Sequence, residues 1–329
     1  MIGIIGSGSW ATAIIKILLE KADREIVWWV RRAEMREALQ RDSRNPSHLQ
    51  EVELDMSRIH LSGDVDEVAA KCDVIILAIP SAHVATVLGY CPAEAFAGRR
   101  FVSAVKGAVP DTANTVSQYL EHELAIPAKN ICVISGPTHA EEVCMGRPTF
   151  LTVASVNQRF AAEVKEMLSC SYMHLYCIGD IAGVEITGLM KNIYAIGAGL
   201  CQGTGYGDNL TAVYVATAYR ELRRLLEHYL PDPQRDPAQQ CYLGDLMVTC
   251  WSQHSRNRRL GMLLGQGVSL YDAVKQIGIV PEGYYSARIA HEHLTSEHAC
   301  TPLCDAVYRI LYEGSTPQVE LERVINNSL

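Results

Sequence analysis

The sequence predicts an α/β chain, with a doubly wound sheet at the N-terminus and an all-α C-terminal part. Three observations carry this. Short apolar runs alternate with helical patterns through the first half, which is how a sheet with helices on both faces is written in sequence. A glycine-rich turn, Gly6-Ser7-Gly8-Ser9-Trp10-Ala11, stands between the first apolar run and the first helical pattern. After about Asp180 the apolar runs of strand length stop and helical patterns follow. The expected domains are therefore residues 1–181 and 182–329.

The expected strands are Ile2–Ile5, Ile26–Val30, Val74–Ile79, Phe101–Ala104, Ile131–Ile134, Phe150–Val153 and His174–Cys177. They are rich in Val and Ile, and several are apolar on both faces, as strands of a covered parallel sheet are. Between them, helices are expected over Trp10–Lys21, Glu34–Gln40, Val65–Lys71, Thr112–Glu123 and Gln158–Ser169. The second part should hold helices over Gly183–Gly199, Thr211–Tyr229, Leu270–Ile277, Tyr284–His293 and Pro302–Tyr312. Pro231-Asp232-Pro233 and Asp236-Pro237 mark a loop, because proline interrupts helical hydrogen bonding. No repeat or low-complexity tract is present.

Composition narrows the function. The 329 residues suffice for two cores. A net charge of -8 does not suit a protein that coats nucleic acid or an anionic membrane. No stretch reaches the ~18 apolar residues of a membrane helix. The opening Met1–Ile5 reads as a strand rather than the basic start of a signal peptide. The 11 cysteines are scattered and odd in number, which favours a reducing, cytoplasmic setting over a disulfide framework. Cys300 with Cys304, and His291 with His293, lack the tight paired spacing of a zinc site, so no metal is expected.

The turn Gly6–Ala11 has the GxGxxA form directly after a strand and at the start of a helix. This is the dinucleotide-binding context of a Rossmann-type sheet. Gly6 permits the tight turn, Gly8 lets the backbone approach a pyrophosphate, and the helix N-terminus supplies N–H donors. The second strand ends Trp29-Val30-Arg31-Arg32, with no acid before Glu34. An acid there would accept from a ribose 2′-hydroxyl. Two arginines instead suit a 2′-phosphate, so NADPH is favoured, with NADH as the alternative.

Four further segments carry chemistry. Lys106-Gly107 follows the strand Phe101–Ala104, at the sheet end that faces a ligand crevice. Ser135-Gly136-Pro137-Thr138 also follows a strand, and Thr138 with Glu141 has a capping-box pattern. In the third, Val184, Gly188, Lys191 and Ala195 share one helical stripe. A lysine in so apolar a helix loses hydration, which lowers its pKa toward the range useful for proton transfer. The fourth runs Leu243-Gly244-Asp245-Leu246, Thr249, then Ser255-Arg256-Asn257-Arg258-Arg259. Its three arginines form a local cationic cluster in an acidic chain, and Arg256 with Ser255 and Asn257 can clamp a phosphate.

These motifs resemble, in order, those of the bacterial branch of NAD(P)-dependent glycerol-3-phosphate dehydrogenases. The resemblance rests on Gly6–Trp10, Lys106-Gly107, Ser135–Thr138, Leu189-Met190-Lys191-Asn192, Leu243–Leu246, Ser255–Arg258 and Pro281-Glu282-Gly283, and it spans nearly the whole chain. It implies interconversion of dihydroxyacetone phosphate and sn-glycerol 3-phosphate, for glycerophospholipid synthesis, with NADPH or NADH. It implies Lys191 as general acid/base. It implies Lys106, Gly136, Thr138, Lys191, Asp245, Ser255, Arg256 and Asn257 around the substrate. Around the cofactor it implies Gly6, Gly8, Ser9, Trp10, Arg31, Arg32, Lys106, Ala140, Arg256, Val280 and Glu282. The implied partner is a small molecule, and a homodimer is compatible with the resemblance. Departures from the family pattern are Ala11 for glycine, Thr217 for arginine, Ala218 for glycine, Tyr242 before Leu243, and residues 229–240. They bear on packing, subunit contacts or regulation more than on chemistry. Two other readings share the fold: a dehydrogenase for hydroxy or sugar acids, and a silent NADPH-binding sensor. The joint presence of Lys106, Lys191, Asp245 and Arg256 argues against the sensor.

Overall fold

The computed structural model describes residues 1–21, 24–294 and 301–327. Cys300 lies outside them. The chain divides into two compact units, Met1–Val105 with Asn114–Ile181, and Lys106–Ala113 with Ala182–Leu329.

The first unit is built on eight strands: β1 (Ile2–Ile5), β2 (Ile26–Trp29), β3 (Ile59–Ser62), β4 (Val74–Leu77), β5 (Arg100–Ser103), β6 (Ile131–Ser135), β7 (Thr149–Ala154) and β8 (Met173–Ile178). Their order in the sheet is β3-β2-β1-β4-β5-β6-β7-β8. Strands β1, β2 and β4 are buried at every residue, so both of their faces must be covered. Ile4 pairs with Trp28 on one side and Ile76 on the other. The helices are α1 (Ser9–Leu19), α2 (Ala33–Asp42), α3 (Val65–Lys71), α4 (Val84–Leu88), α5 (Val116–His122), α6 (Ala140–Cys144) and α7 (Gln158–Leu168). Helix α1 buries Ile14, Ile15, Ile17 and Leu18, each contributing about 1.5–3 kcal/mol. Its single lysine, Lys16, turns outward to Glu20 and the Tyr172 hydroxyl.

Three details add to or depart from the expectations. The sheet is not wholly parallel, because β7 runs antiparallel to β6. The link between them, residues 136–148, holds only the short α6 and turns the chain back. Apolar alternation identifies the faces of a strand but not its direction. Strand β3 was not expected, since His60 is exposed and the run Ile-His-Leu-Ser is short. Helix α5 begins at Val116 rather than Thr112: the Thr115 side chain accepts from Gln118 N, while the Gln118 side chain accepts from Thr115 N.

The second unit is helical: α8 (Ile181–Gly203), α9 (Gly207–Tyr229), α10 (Asp245–Trp251), α11 (Arg256–Gly265), α12 (Leu270–Ile277), α13 (Glu282–Leu294), α14 (Pro302–Tyr312) and α15 (Pro317–Asn327). Helices α10, α11 and α15 were not anticipated. A π-helical turn over Gln240–Gly244 leads into α10 and buries Cys241 and Tyr242. Helix α8 is buried along most of its length, as a helix apolar on all sides must be. It crosses α11 backbone to backbone. A Cβ at Gly261 would stand 1.8 Å from the Ile196 carbonyl oxygen, and one at Gly199 would stand 2.0 Å from that of Arg258. Among the described residues no helix is long and apolar enough to cross a membrane. No group of three His, Cys, Asp or Glu residues gathers there in a metal-binding arrangement.

Candidate functional site

In the first unit the glycine turn is set by its backbone. Gly6 has φ 134°, and a Cβ there would lie 2.2 Å from the Ala78 carbonyl oxygen. The buried Trp28 indole donates to the Gly6 carbonyl at 2.6 Å. Gly8 precedes the first residue of α1 in extended conformation, with nothing within 4 Å of where a Cβ would stand. No side chain caps α1, so its first N–H groups are left for another acceptor. Ser9 and Trp10 open the helix, and Ala11 is fully buried. Sequence reasoning missed the loop that braces this turn. The buried Asn45 donates to Ser7 O and Thr12 Oγ1 and accepts from Ser47 N and His48 N. The His48 ring lies 3.4 Å from Ser9 Oγ.

At the end of β2, Arg31 and Arg32 are exposed, and neither pairs with a carboxylate among the described residues. An uncapped helix start, open space over Gly8 and unpaired guanidinium groups fit a dinucleotide. Gly136 has φ 153°, and a Cβ there would lie 2.6 Å from the Phe150 carbonyl oxygen. The expected capping box at Thr138 is not formed. Thr138 Oγ1 donates to the Gly136 carbonyl, and α6 starts at Ala140 with His139 as its N-cap. Glu141 therefore falls one position too early for the reciprocal bond.

The second unit gathers Lys106, Lys191, Asp245 and Thr249. Lys191 Nζ donates to Asp245 Oδ1 at 2.9 Å and to Thr249 Oγ1 at 2.8 Å. Lys106 Nζ donates to Asp245 Oδ2 at 2.9 Å and to Oδ1 at 3.2 Å. Lys191 is only 3% exposed, so it does not reach solvent along its own stem. Burial pushes its pKa down to about 8, with Lys106 adding to the fall and Asp245 opposing it. Burial pushes the Asp245 carboxyl up, but the two ammonium groups outweigh it and hold the acid below its ordinary range. Two ammoniums on one carboxylate leave one net positive charge, which favours an anion or a developing alkoxide. Thr249 belongs to the fourth sequence segment, and its role emerges only from the structure. It sits one helical turn after Asp245, and its hydroxyl also donates to the Asp245 carbonyl.

Asn192, next to Lys191, donates to the Lys106 carbonyl at 2.8 Å. Asn257 donates to Asn192 Oδ1 and accepts from Gly283 N. Thus Asn257 commits its side chain to positioning Asn192 and the start of α13, where Glu282 and the preceding Val280 are half-buried. Ser255 caps α11 by accepting from Arg258 N. Arg256 is exposed and, among the described residues, unpaired. Of the Ser-Arg-Asn trio, the guanidinium is the group left wholly available.

Comparison with known proteins bears on this arrangement. Residues 1–161 match the NAD-dependent glycerol-3-phosphate dehydrogenase N-terminus, and residues 180–322 match the C-terminus of the same family. The chain is 35% identical to glycerol-3-phosphate dehydrogenase (NAD(P)+) 1 of Salinibacter ruber, over 99% of this chain and 95% of that one. It is 34% identical to the Bacillus subtilis glycerol-3-phosphate dehydrogenase (NAD(P)+), over 98% and 93% of the two chains. The crystal structure of glycerol-3-phosphate dehydrogenase from Coxiella burnetii superposes with a TM-score of 0.92 at 29% identity, covering 99% of this chain and 98% of that one. With the two halves of the family matched in order along one chain, this protein belongs to the NAD-dependent glycerol-3-phosphate dehydrogenases, oxidoreductases that use NAD or NADP.

Proposed function

We propose that the chain reduces dihydroxyacetone phosphate to sn-glycerol 3-phosphate with NADPH preferred over NADH, and that Lys191 supplies the proton. The observation that carries this is the buried Lys191 ammonium held by Asp245 and Thr249. The bound reduced nicotinamide supplies the hydride. An ammonium has three N–H donors; two are spent on Asp245 and Thr249, and the third is left for the substrate oxygen. As C2 gains its hydride, that oxygen takes the proton from Nζ, and Lys191 becomes a neutral amine. A pKa of about 8 suits this exchange near neutral pH. Lys106 keeps Asp245 ionised and leaves the cluster without net negative charge while Lys191 is neutral.

Arg256 is assigned the phosphate, supported by its exposure and lack of a partner, with Ser255 and Asn257 shaping the turn that presents it. Gly136 and Thr138 complete the proposed substrate set. Gly6, Gly8, Ser9, Trp10, Arg31, Arg32, Lys106, Ala140, Arg256, Val280 and Glu282 form the proposed cofactor set. In this reading residues 1–181 bind the dinucleotide and residues 182–329 bind the substrate. The enzyme works as a cytoplasmic homodimer, and its product enters glycerophospholipid synthesis.

The test is steady-state oxidation of NADPH and NADH, each with dihydroxyacetone phosphate and with a panel of 2-keto acids. The expected result is turnover of the phosphorylated ketone alone and a lower KM for NADPH. Turnover of a keto acid in preference to the ketone phosphate would overturn the substrate assignment.

A further inference from the structure

We propose that Arg36, on the first turns of α2, is a specificity-determining residue that completes a 2′-phosphate pocket with Arg31 and Arg32. The inference rests on the NADPH reading above and deepens it. Arg36 Nη1 donates to the Val30 carbonyl at 2.7 Å and to the Arg31 carbonyl at 3.1 Å. Its guanidinium lies over Gly63, where a Cβ would stand 2.8 Å from Nη1 and 3.1 Å from Nη2. Gly63 is itself anchored, since Trp29 Nε1 donates to its carbonyl at 3.1 Å and Val30 N donates to Ser62 O at 2.8 Å. The ends of β2 and β3 thus form a floor on which one guanidinium is laid flat.

What remains of that guanidinium is unspent. Its Nε and Nη2 groups make no hydrogen bond among the described residues, and no carboxylate pairs with it. Asp64, next along from Gly63, turns its side chain to Asp66 N as the cap of α3. An adenosine ribose lies at the end of the second strand in a doubly wound sheet. Arg36 therefore offers a fixed, pre-oriented fork where a 2′-phosphomonoester arrives, while Arg31 and Arg32 supply exposed charge. A fork already held in place loses less side-chain freedom when it binds phosphate.

The experiment is calorimetric binding of NADPH, NADH, 2′-AMP and 5′-AMP to the wild type, Arg36→Ala, Arg36→Lys and Gly63→Ala. In Arg36→Ala, NADPH and 2′-AMP should bind roughly tenfold to a hundredfold more weakly, while NADH and 5′-AMP stay within about twofold. Arg36→Lys should recover part of the loss, keeping charge but not the fork. Gly63→Ala leaves every charge in place and displaces only a flexible side-chain end; it should weaken 2′-AMP and leave 5′-AMP and the melting temperature unchanged. Equal losses for NADPH and NADH in Arg36→Ala would make the residue a mere brace of the strand end and sink the inference, as would no loss at all. If the wild type binds 2′-AMP no better than 5′-AMP, the NADPH reading fails and this inference with it. A wild type that prefers 2′-AMP, with Arg36→Ala unaffected, removes Arg36 alone.

Discussion

The glycine turn of the first unit and the lysine cluster of the second solve different problems by opposite means. The turn is made from backbone: two glycines, an uncapped helix start, and neighbours that fix carbonyls, with no formal charge in it. The cluster is made from side chains: three charged groups and a hydroxyl, nearly all out of water. A backbone site is damaged by adding a carbon, whereas a side-chain site is damaged by removing a charge. Several substitutions test that contrast.

The largest effect is expected at Lys191. Lys191→Ala should lower kcat by roughly 10²–10⁴-fold, with cofactor affinity measured by fluorescence little changed. In the wild type, ketone reduction should fall as pH rises through about 8, where Lys191 loses its proton, and alcohol oxidation should rise over the same window. A pH profile for reduction that stays flat from 7 to 9 would break the assignment.

Next comes a buried charge in the same unit with no part in the proposed chemistry. Glu221 accepts from the Tyr194 hydroxyl and from Leu303 N and Cys304 N at the start of α14. Burial nevertheless pushes its pKa up to about 7. The folded chain then holds a proton that the unfolded chain has released, so stability falls as pH rises from about 4.5 through 7. Glu221→Gln should remove that dependence, with a difference of about 3 kcal/mol at most. Melting temperatures of both proteins across this range, read as a difference, check it.

In the first unit the two glycines should respond differently to the same methyl group. Gly6→Ala meets both the positive φ and the Ala78 carbonyl, and should destabilise the fold by about 1–3 kcal/mol in urea unfolding. Gly8→Ala meets nothing within 4 Å. It should leave stability within about 0.5 kcal/mol yet weaken ADP-ribose binding roughly tenfold, since the new carbon occupies the approach to the pyrophosphate. Equal stability losses at both positions would erase the distinction between a glycine needed by the fold and one needed by a ligand.

The first region was more legible than the second for a physical reason. A GxGxxA turn compresses its requirements into six consecutive residues, so Gly6, Gly8 and Ala11 state the geometry directly. The lysine cluster draws on Lys106, Lys191 and the pair Asp245 and Thr249, three stretches far apart in the chain. An unusual lysine in an apolar helix signalled burial, but only the fold reveals which carboxylate neutralises it. Ser255 and Asn257 stand beside Arg256 as candidate phosphate donors, and only the fold reveals that they also serve a helix start and a neighbouring asparagine. Strand β3 escaped because the exposed His60 interrupts its apolar run, and α10 because seven residues give little periodicity to count. Arg36 drew no reading, since nothing in α2 alone announces Gly63 beneath it.

The crossing of α8 and α11 has one more consequence. Where two main chains touch, no rotamer remains to be adjusted, so the spacing of those helices is a property of the peptide rather than of any packed side chain. Lys191 on one helix and Arg256 at the head of the other are therefore set apart by a rigid ruler. If the proposed roles of Lys191 and Arg256 hold, an engineer wishing to admit a longer substrate would gain little by trimming the residues around it. The ruler itself would have to be re-cut at Gly199 or Gly261.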